Sequence, residues 1–200
     1  MAAKAKTVAR TAKKPAAKKS ATKRPAGKSL PYAEGKWAAA FDRKPGELRH
    51  WLVKTEPETF SLDDLLASPG RTTCWDGVRN YAARNFLRDG MKLGDRVYFY
   101  LSSIDPQVIV AICEVVREGY PDTTAFDRKH HGYDPESDPA SPTWYVVDLK
   151  FVERLPQPVA LEALKARPEL ARMALLRIGR MSVTPVTTAE WDTILAMSRR

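Results

Sequence analysis

The sequence is poor in cysteine and lacks any long hydrophobic run. Its two cysteines, Cys74 and Cys113, fit no metal-binding or redox spacing, so we expect two small buried side chains in a reducing compartment. No apolar segment approaches the ~20 residues that span a bilayer, so no integral membrane protein is expected. The chain has 200 residues, of which 44% are hydrophobic and 28% are charged. That composition predicts one globular domain with an appendage.

Glycine and histidine are also sparse, which argues against several kinds of catalytic site. The 10 glycines are scattered and form no phosphate-binding loop of the Walker or dinucleotide type. Neither a Gly-x-Ser-x-Gly elbow nor a Cys–His signature of covalent hydrolases is present. His130 and His131 are adjacent, so a strand would point them to opposite faces, and we interpret them as surface residues rather than metal ligands. We therefore expect no metal, no cofactor and no catalytic residue.

Acidic residues are missing from residues 1–29, which contain ten Lys and Arg. The net charge of +9 arises there, because the rest of the chain carries 23 basic and 24 acidic residues. With Val8 as its one large aliphatic residue after Met1, this basic tail cannot bury enough surface to fold, so we predict disorder.

We interpret the basic tail as an arm that binds phosphates without sequence preference. A solubilising tail and a transit peptide are the alternatives; a secretory signal would need an apolar core that the tail lacks. The predicted phosphate contacts are Lys13, Lys14, Lys18, Lys19, Lys23 and Arg24, together with Arg84 of the folded part.

Residues 30–48 are predicted to form a linker that Trp37 and Phe41 anchor onto the folded domain, residues 49–198. Strand patterns dominate the centre of that domain, helices lie at its edges, and no alternating strand–helix rhythm is present. We therefore predict an α+β fold, a small mixed β-barrel decorated by short helices. The predicted strands are 49–56, 71–75, 94–102, 107–116, 143–155 and 180–186, with a long loop at 117–142 and a short strand around Thr123.

The stretch CWDGVRN, residues 74–80, has residue types that could hold an extruded nucleobase. Such a base needs an aromatic face and polar groups at its Watson–Crick edge. Trp75 could supply the stacking face, and Glu56 or Asp76 could accept a hydrogen bond from the amine of cytosine. Asn80 and the backbone N–H groups around Gly77 could donate, since glycine lets the backbone approach a ligand closely.

Each of these residues also has a purely structural interpretation. Trp75 could belong to the core, and Asn80 stands where the N-cap of a helix is expected. Asp76 could hold the turn at Gly77. The remaining polar residues could be an ordinary surface pair, Lys54 with Glu56, and solvated arginines, Arg79 and Arg84.

Six stretches taken together resemble the EVE domain family: HWLVKTEP, WDGVRNYAARNFLR, GDRVYFYLS, YPDTTAFD, PTWYVVDLKFV and LARMALLRIGRMSVTPVTTAEW. The resemblance covers roughly residues 49–198, and the Trp-Asp-Gly-Val-Arg-Asn run is a specific signal. It implies a PUA-like barrel and a pocket that takes a flipped modified base, with a 5-substituted cytosine in DNA as the expected ligand. The implied pocket residues are Lys54, Thr55, Glu56, Trp75, Asp76, Gly77, Val78, Arg79, Asn80, Tyr100, Ser102 and Ser182.

From the resemblance we expect a monomeric module that binds nucleic acid, DNA rather than RNA. We expect neither a membrane partner nor enzymatic activity. Two other classes remain open. One is an amidohydrolase like the related ASCH domains, which would use Lys54, Thr55 and Glu56, although consecutive strand residues point to opposite faces. The other is a nucleoid-associated packing protein that acts through its tail. The expected location is the nucleoid region of the cytoplasm in a bacterium or the nucleus in a eukaryote.

Overall fold

In the computed structural model, the chain divides into two units, Met1–Leu30 and Pro31–Arg200. The structure describes residues 35–200, which belong to the second unit. The predicted tail disorder and its six phosphate contacts lie outside the described residues. Among the described residues, no helix is both long and apolar enough to cross a membrane.

A six-stranded mixed sheet forms the centre of the domain. Its strands lie in the order β2-β5-β4-β3-β1-β6. β1 pairs in parallel with β3, and the other pairs are antiparallel. The α+β class predicted from the sequence is therefore confirmed. The strands are β1 (His50–Thr55), β2 (Thr72–Cys74), β3 (Arg96–Leu101), β4 (Val108–Pro121), β5 (Tyr145–Ala160) and β6 (Val183–Val186).

Short helices surround the sheet, and two of them begin with capping boxes that their sequences encode. Ser61 and Asp64 form a capping box at α2, and Thr187 and Glu190 form another at α6. The helices are α1 (Ala38–Phe41), α2 (Leu62–Ala67), α3 (Tyr81–Asn85), α4 (Leu161–Lys165), α5 (Ala174–Arg177) and α6 (Thr188–Met197). α3 continues as one π turn, Phe86–Gly90, and 3₁₀ turns lie at Gly35–Trp37, Pro69–Arg71, Thr123–Phe126 and Pro168–Leu170.

The expected short strand around Thr123 is wrong, because Thr123–Phe126 is a 3₁₀ turn. The carboxylate of Asp122 accepts a hydrogen bond from the backbone N–H of Thr124 and caps that turn. A local side-chain bond of this kind favours a turn over a strand.

The sheet is covered on both faces, and the segment VIVAICEVV of β4 is apolar on both of its faces, the pattern that predicts such a covered strand. Trp51 and Val53 of β1 belong to one buried cluster, whereas Leu52 between them belongs to the other. We call these the first and second core clusters. The first also contains Trp75, and the second packs beneath α4, α5 and α6 through Leu164, Leu175 and Ile194.

The predicted anchoring of the linker is confirmed by contacts of two aromatic rings. Trp37 meets the ring of Phe86 edge-on at 5.1 Å, and Phe41 stacks on it at 5.6 Å between centroids. Asp95, fully buried, adds a polar anchor through two hydrogen bonds of 2.8 and 2.6 Å from the Arg43 guanidinium. A buried carboxylate tolerates such a position only when it is paired.

Candidate functional site

An open cleft of about 760 Å³ lies at one end of the sheet. It is bordered by the end of β1, the loop after β2, the residues before β6 and part of the long loop between β4 and β5. Nine of the residues implied by the resemblance line it: Lys54, Thr55, Glu56, Trp75, Asp76, Gly77, Val78, Ser102 and Ser182.

Strand pairing brings these separated residues together. Because β1 and β3 are parallel, their carboxyl ends meet, and Ser102 donates from both its N–H and its hydroxyl to the Thr55 carbonyl at 2.8 and 2.9 Å. On the other side of β1, the Lys54 N–H donates to the Ser182 carbonyl at 2.8 Å. The Trp75 N–H donates to the Val147 carbonyl of β5 at 2.8 Å, which fixes the loop after β2. The floor of the cleft is thus an extension of the sheet.

Trp75 is both a core residue and a wall of the cleft. Its side chain is only 7% exposed and belongs to the first core cluster. The ring meets Phe60 and Phe99 at nearly right angles, with centroids 6.5 and 5.8 Å away. The two interpretations that the sequence left open therefore describe the same side chain.

His130 and His131 line the cleft. His131 is exposed, as a surface position predicts, and His130 is half-buried, but the sequence did not place the pair at the cleft. Their rings lie 4.2 Å apart. A Cβ atom built on Gly77 would lie 3.0 Å from Nε2 of His131, and Gly77 has a positive φ of +70°. Glycine at this position therefore allows both the turn and the close approach of the imidazole.

Asp76 lies at the mouth of the cleft, beside the histidine pair. Partial burial and the nearby charge of Asp122 raise the pKa of Asp76 above its ordinary value, and His130, His131 and Arg79 oppose that shift. A carboxylate in this setting is a strong hydrogen-bond acceptor that a ligand amine could satisfy.

Arg79 does not line the cleft but ties its loops together. The guanidinium donates to Asp122 at 2.8 Å and, through two nitrogens, to the carbonyl of Gly132. Burial opposes ionisation of Asp122, but hydrogen bonds from Thr124 and Arg79 outweigh it and hold the pKa of Asp122 below its usual value. Because Gly132 follows His131, the Arg79–Asp122 pair positions the histidine-bearing loop.

Lys54 supplies a cation to the cleft wall. Its ammonium donates to the Gly179 carbonyl at 3.3 Å, and burial lowers the pKa of Lys54. Thr55 points its hydroxyl away from the ammonium and donates it to the Phe60 carbonyl at 2.9 Å. Glu56 is exposed at the rim.

Tyr100 is placed outside the cleft, contrary to the expectation. Its side chain is 1% exposed, lies in the second core cluster and donates its hydroxyl to Gln107 at 2.5 Å. Lys54, which lines the cleft, has its ammonium 6.0 Å from the centroid of the Tyr100 ring. Strand alternation places Tyr100 with Tyr98 on one face of the sheet, and the helices packed on that face bury both side chains.

Asn80 and Arg84 also lie away from the cleft-lining residues. Asn80 caps α3, since its side-chain oxygen accepts from the N–H groups of Ala82 and Ala83 at 2.9 and 3.1 Å. Arg84, the predicted phosphate contact, donates to the Thr143 carbonyl at 2.9 Å and to the side chain of Asn85 at 2.8 Å. Asn80 thus has the capping role of the structural interpretation, whereas Arg84 is half-buried and bound to the protein rather than solvated.

Nine lining residues escaped the sequence analysis. Cys74 is one of them: it is exposed, so the expectation of two buried cysteines is wrong at this position, while Cys113 is buried as expected. β2 ends at Cys74, at the edge of the sheet, which explains its exposure. The missed residues are Thr59, Phe60, Thr73, Cys74, His130, His131, Gly179, Arg180 and Met181. Across residues 35–200, no three His, Cys, Asp or Glu side chains are grouped to hold a metal ion.

Replacing Gly77 with alanine should lower the free energy of unfolding by about 1–3 kcal/mol, through backbone strain at φ +70° and the clash with His131. Gly46 is the matched control, since it has φ +75° and no atom within 4 Å of an added Cβ. Urea denaturation should show a larger loss for Gly77→Ala than for Gly46→Ala. Equal losses would mean that the imidazole does not restrict this position.

The fold agrees with what the comparisons with known proteins show. The EVE domain family model matches residues 49–197, so the chain belongs to the EVE domain family. Human thymocyte nuclear protein 1 is 40% identical over 168 residues, which cover 76% of this chain and 74% of that protein. The mouse protein of the same name is 42% identical over 165 residues, covering 74% of this chain and 73% of that protein.

Solved structures of related proteins also resemble this chain in fold and sequence. The human THYN1 protein in complex with 5-methylcytosine-containing DNA superposes with a TM-score of 0.74 at 40% identity, covering 76% of this chain and 98% of that one. A protein from Pseudomonas syringae has a TM-score of 0.70 at 40% identity, covering 74% of this chain and 99% of that one.

Proposed function

We propose that this protein binds DNA and takes one modified base, a 5-substituted cytosine, into the cleft beside Trp75. The observation that carries the proposal is the likeness to human THYN1, which was crystallised with 5-methylcytosine-containing DNA. The cleft supports it, because an open space of about 760 Å³ is bordered by an aromatic residue and by polar groups of both signs. Extruded bases are recognised by such a combination of ring contacts and edge contacts.

The polar groups of the cleft match the edge of cytosine. Asp76 and Glu56 can accept from the exocyclic amine, which is the donor on that edge. Lys54 and the backbone N–H groups beside Gly77 can donate to the ring acceptors. Trp75 and His131 form two ring-bearing walls, and the apolar part of the cleft at Met181 and Phe60 can accommodate a 5-substituent. Recognition of a methyl group needs apolar contact of this kind.

The decisive experiment is a binding panel with the full chain. Duplexes that differ in one cytosine, either plain or 5-methylated, would compete for the protein, and the same modified base in an RNA strand would be a third arm. We expect a preference for the methylated DNA that His131→Ala and Asp76→Asn both reduce. Equal affinity for methylated and plain duplexes would contradict the proposal.

We further propose that the protein is a reader and not an enzyme, so modified cytosine nucleosides and oligonucleotides should be recovered chemically unchanged. A nucleophile needs a base within hydrogen-bond reach, whereas the Thr55 hydroxyl donates to the Phe60 carbonyl at 2.9 Å. Mass spectrometry of the recovered base is the measurement, with Lys54→Ala as the control. A product that forms with the intact protein and disappears in Lys54→Ala would make the protein an amidohydrolase-like enzyme instead.

A further inference from the structure

Tyr81 is the most exposed large hydrophobic side chain among residues 35–200, at 62%. It follows directly after the stretch Trp75–Asn80, the first four residues of which border the cleft. An exposed aromatic ring of this size has a hydration cost that a binding partner can remove. Its position beside the cleft is the reason to ask what it contacts.

The Tyr81 ring is held in place although it is exposed. One side lies against Trp144, with centroids 5.1 Å apart, and the Arg84 guanidinium lies 5.0 Å from the ring centroid. Trp144 is itself fixed, since its indole N–H donates to Asp134 at 2.5 Å. A ring supported in this way loses little conformational entropy when it binds.

A continuous set of contacts joins Tyr81 to the cleft. Trp144 lies beneath the Arg79 guanidinium, 5.3 Å from its ring centroid. Arg79 in turn donates to the carbonyl of Gly132, the residue that follows the cleft-lining His131. Tyr81 is therefore tied to the histidine-bearing loop of the cleft through Trp144 and Arg79, and Arg84 places a positive charge beside its ring.

We propose that Tyr81 inserts into, or stacks at, the gap that an extruded base leaves in duplex DNA. The inference rests on the proposed function, because the gap exists only if a base is extruded. Extrusion leaves the neighbouring base pairs unstacked, and proteins that distort DNA stabilise such steps with an apolar or aromatic wedge. Arg84, whose guanidinium lies 5.0 Å from the Tyr81 ring centroid, would lie near a flanking phosphate, where positive charge favours binding.

The test uses the full chain and three oligonucleotides at raised salt, which suppresses general phosphate binding. They are a duplex with one 5-methylcytosine, the same duplex with an abasic site at that position, and the modified strand alone. Tyr81→Ala should weaken binding to the methylated and to the abasic duplex by roughly 5- to 150-fold. Binding to the single strand, which has no gap to fill, should change by less than about threefold. Tyr81→Trp should restore duplex binding.

Leu93→Ala is the matched control, because Leu93 is 57% exposed and lies in the turn before β3. It should leave all three affinities unchanged. Equal losses on single strand and duplex, or no loss on the duplexes, would overturn the role of Tyr81. The abasic duplex separates this result from the proposed function. If the wild-type protein shows no preference for the methylated duplex, base reading is contradicted. The effect of Tyr81→Ala on the abasic duplex tests the wedge alone.

Discussion

Replacing Trp75 with alanine should lower the free energy of unfolding by roughly 3–5 kcal/mol, which is a large part of the stability of a typical domain. The reason is burial: the side chain is 7% exposed and packs edge to face with Phe60 and Phe99. Urea denaturation followed by fluorescence or circular dichroism is the measurement. A loss below about 1 kcal/mol would mean that Trp75 is a cleft residue without a core role.

Because Trp75→Ala disturbs fold and cleft together, Trp75→Phe is the variant that isolates recognition. Phenylalanine retains most of the apolar contact with the first core cluster but offers a smaller ring to a base. We expect a folded protein whose preference for the methylated duplex falls at least about fivefold. Trp191→Phe is the control, since Trp191 is 6% exposed and lies in the second core cluster, stacked on Tyr98 at 3.8 Å. If Trp75→Phe keeps the full preference of the wild-type protein for the methylated duplex, as Trp191→Phe should, Trp75 does not contact the base.

The parts of the fold that local sequence determines were predictable. The capping boxes at Ser61 and Thr187 depend on residues three positions apart, so the sequence alone reveals them. The both-face apolar pattern of β4 likewise predicted a strand covered on each side. Asn80 was recognised as an N-cap because it stands directly before a helical pattern.

Alternation along a strand predicts which residues share a face, but not which face borders a cleft. The alternation along β3 separates Tyr98 and Tyr100 from Val97 and Phe99, and the structure places the two pairs in different core clusters. The packing of α4, α5 and α6 then decides that the tyrosine face is covered, and that packing is a long-range property. Tyr100 was included in the predicted pocket because a family resemblance transfers positions in a sequence and not the directions of side chains.

The histidine pair was missed for a different reason. His130 and His131 belong to a long polar loop without periodicity, and no local pattern says where such a loop folds back. Its position depends on Arg79, which lies about fifty residues earlier and holds Gly132 and Asp122 together. The pairing of Arg79 with the buried Asp122, so distant in the sequence, can be recognised only from the folded structure.

Deleting residues 1–29 should weaken binding to any DNA duplex by about 100-fold or more at low salt, while the preference for a methylated base stays the same. The ten Lys and Arg of the tail carry the entire basic excess of the chain, since the remainder has 23 basic and 24 acidic residues. Cations that neutralise phosphates release counterions, and the logarithm of the binding constant then falls by about 0.9 per contact for each tenfold rise in salt.

Salt titrations of the full and shortened chains, on plain and methylated duplexes, provide the measurement. After deletion, the slope of the logarithm of the binding constant against the logarithm of the salt concentration should become shallower by the equivalent of several phosphate contacts. Such contacts position a protein on DNA without reading its bases. The ratio of the two affinities should not change, since base identity is sensed by short-range contacts inside the cleft. A control that exchanges the ten cations for glutamine, at the same length, separates charge from chain length. Loss of the preference together with the affinity would move recognition from the cleft to the tail, and the protein would then be better described as a DNA-packing protein.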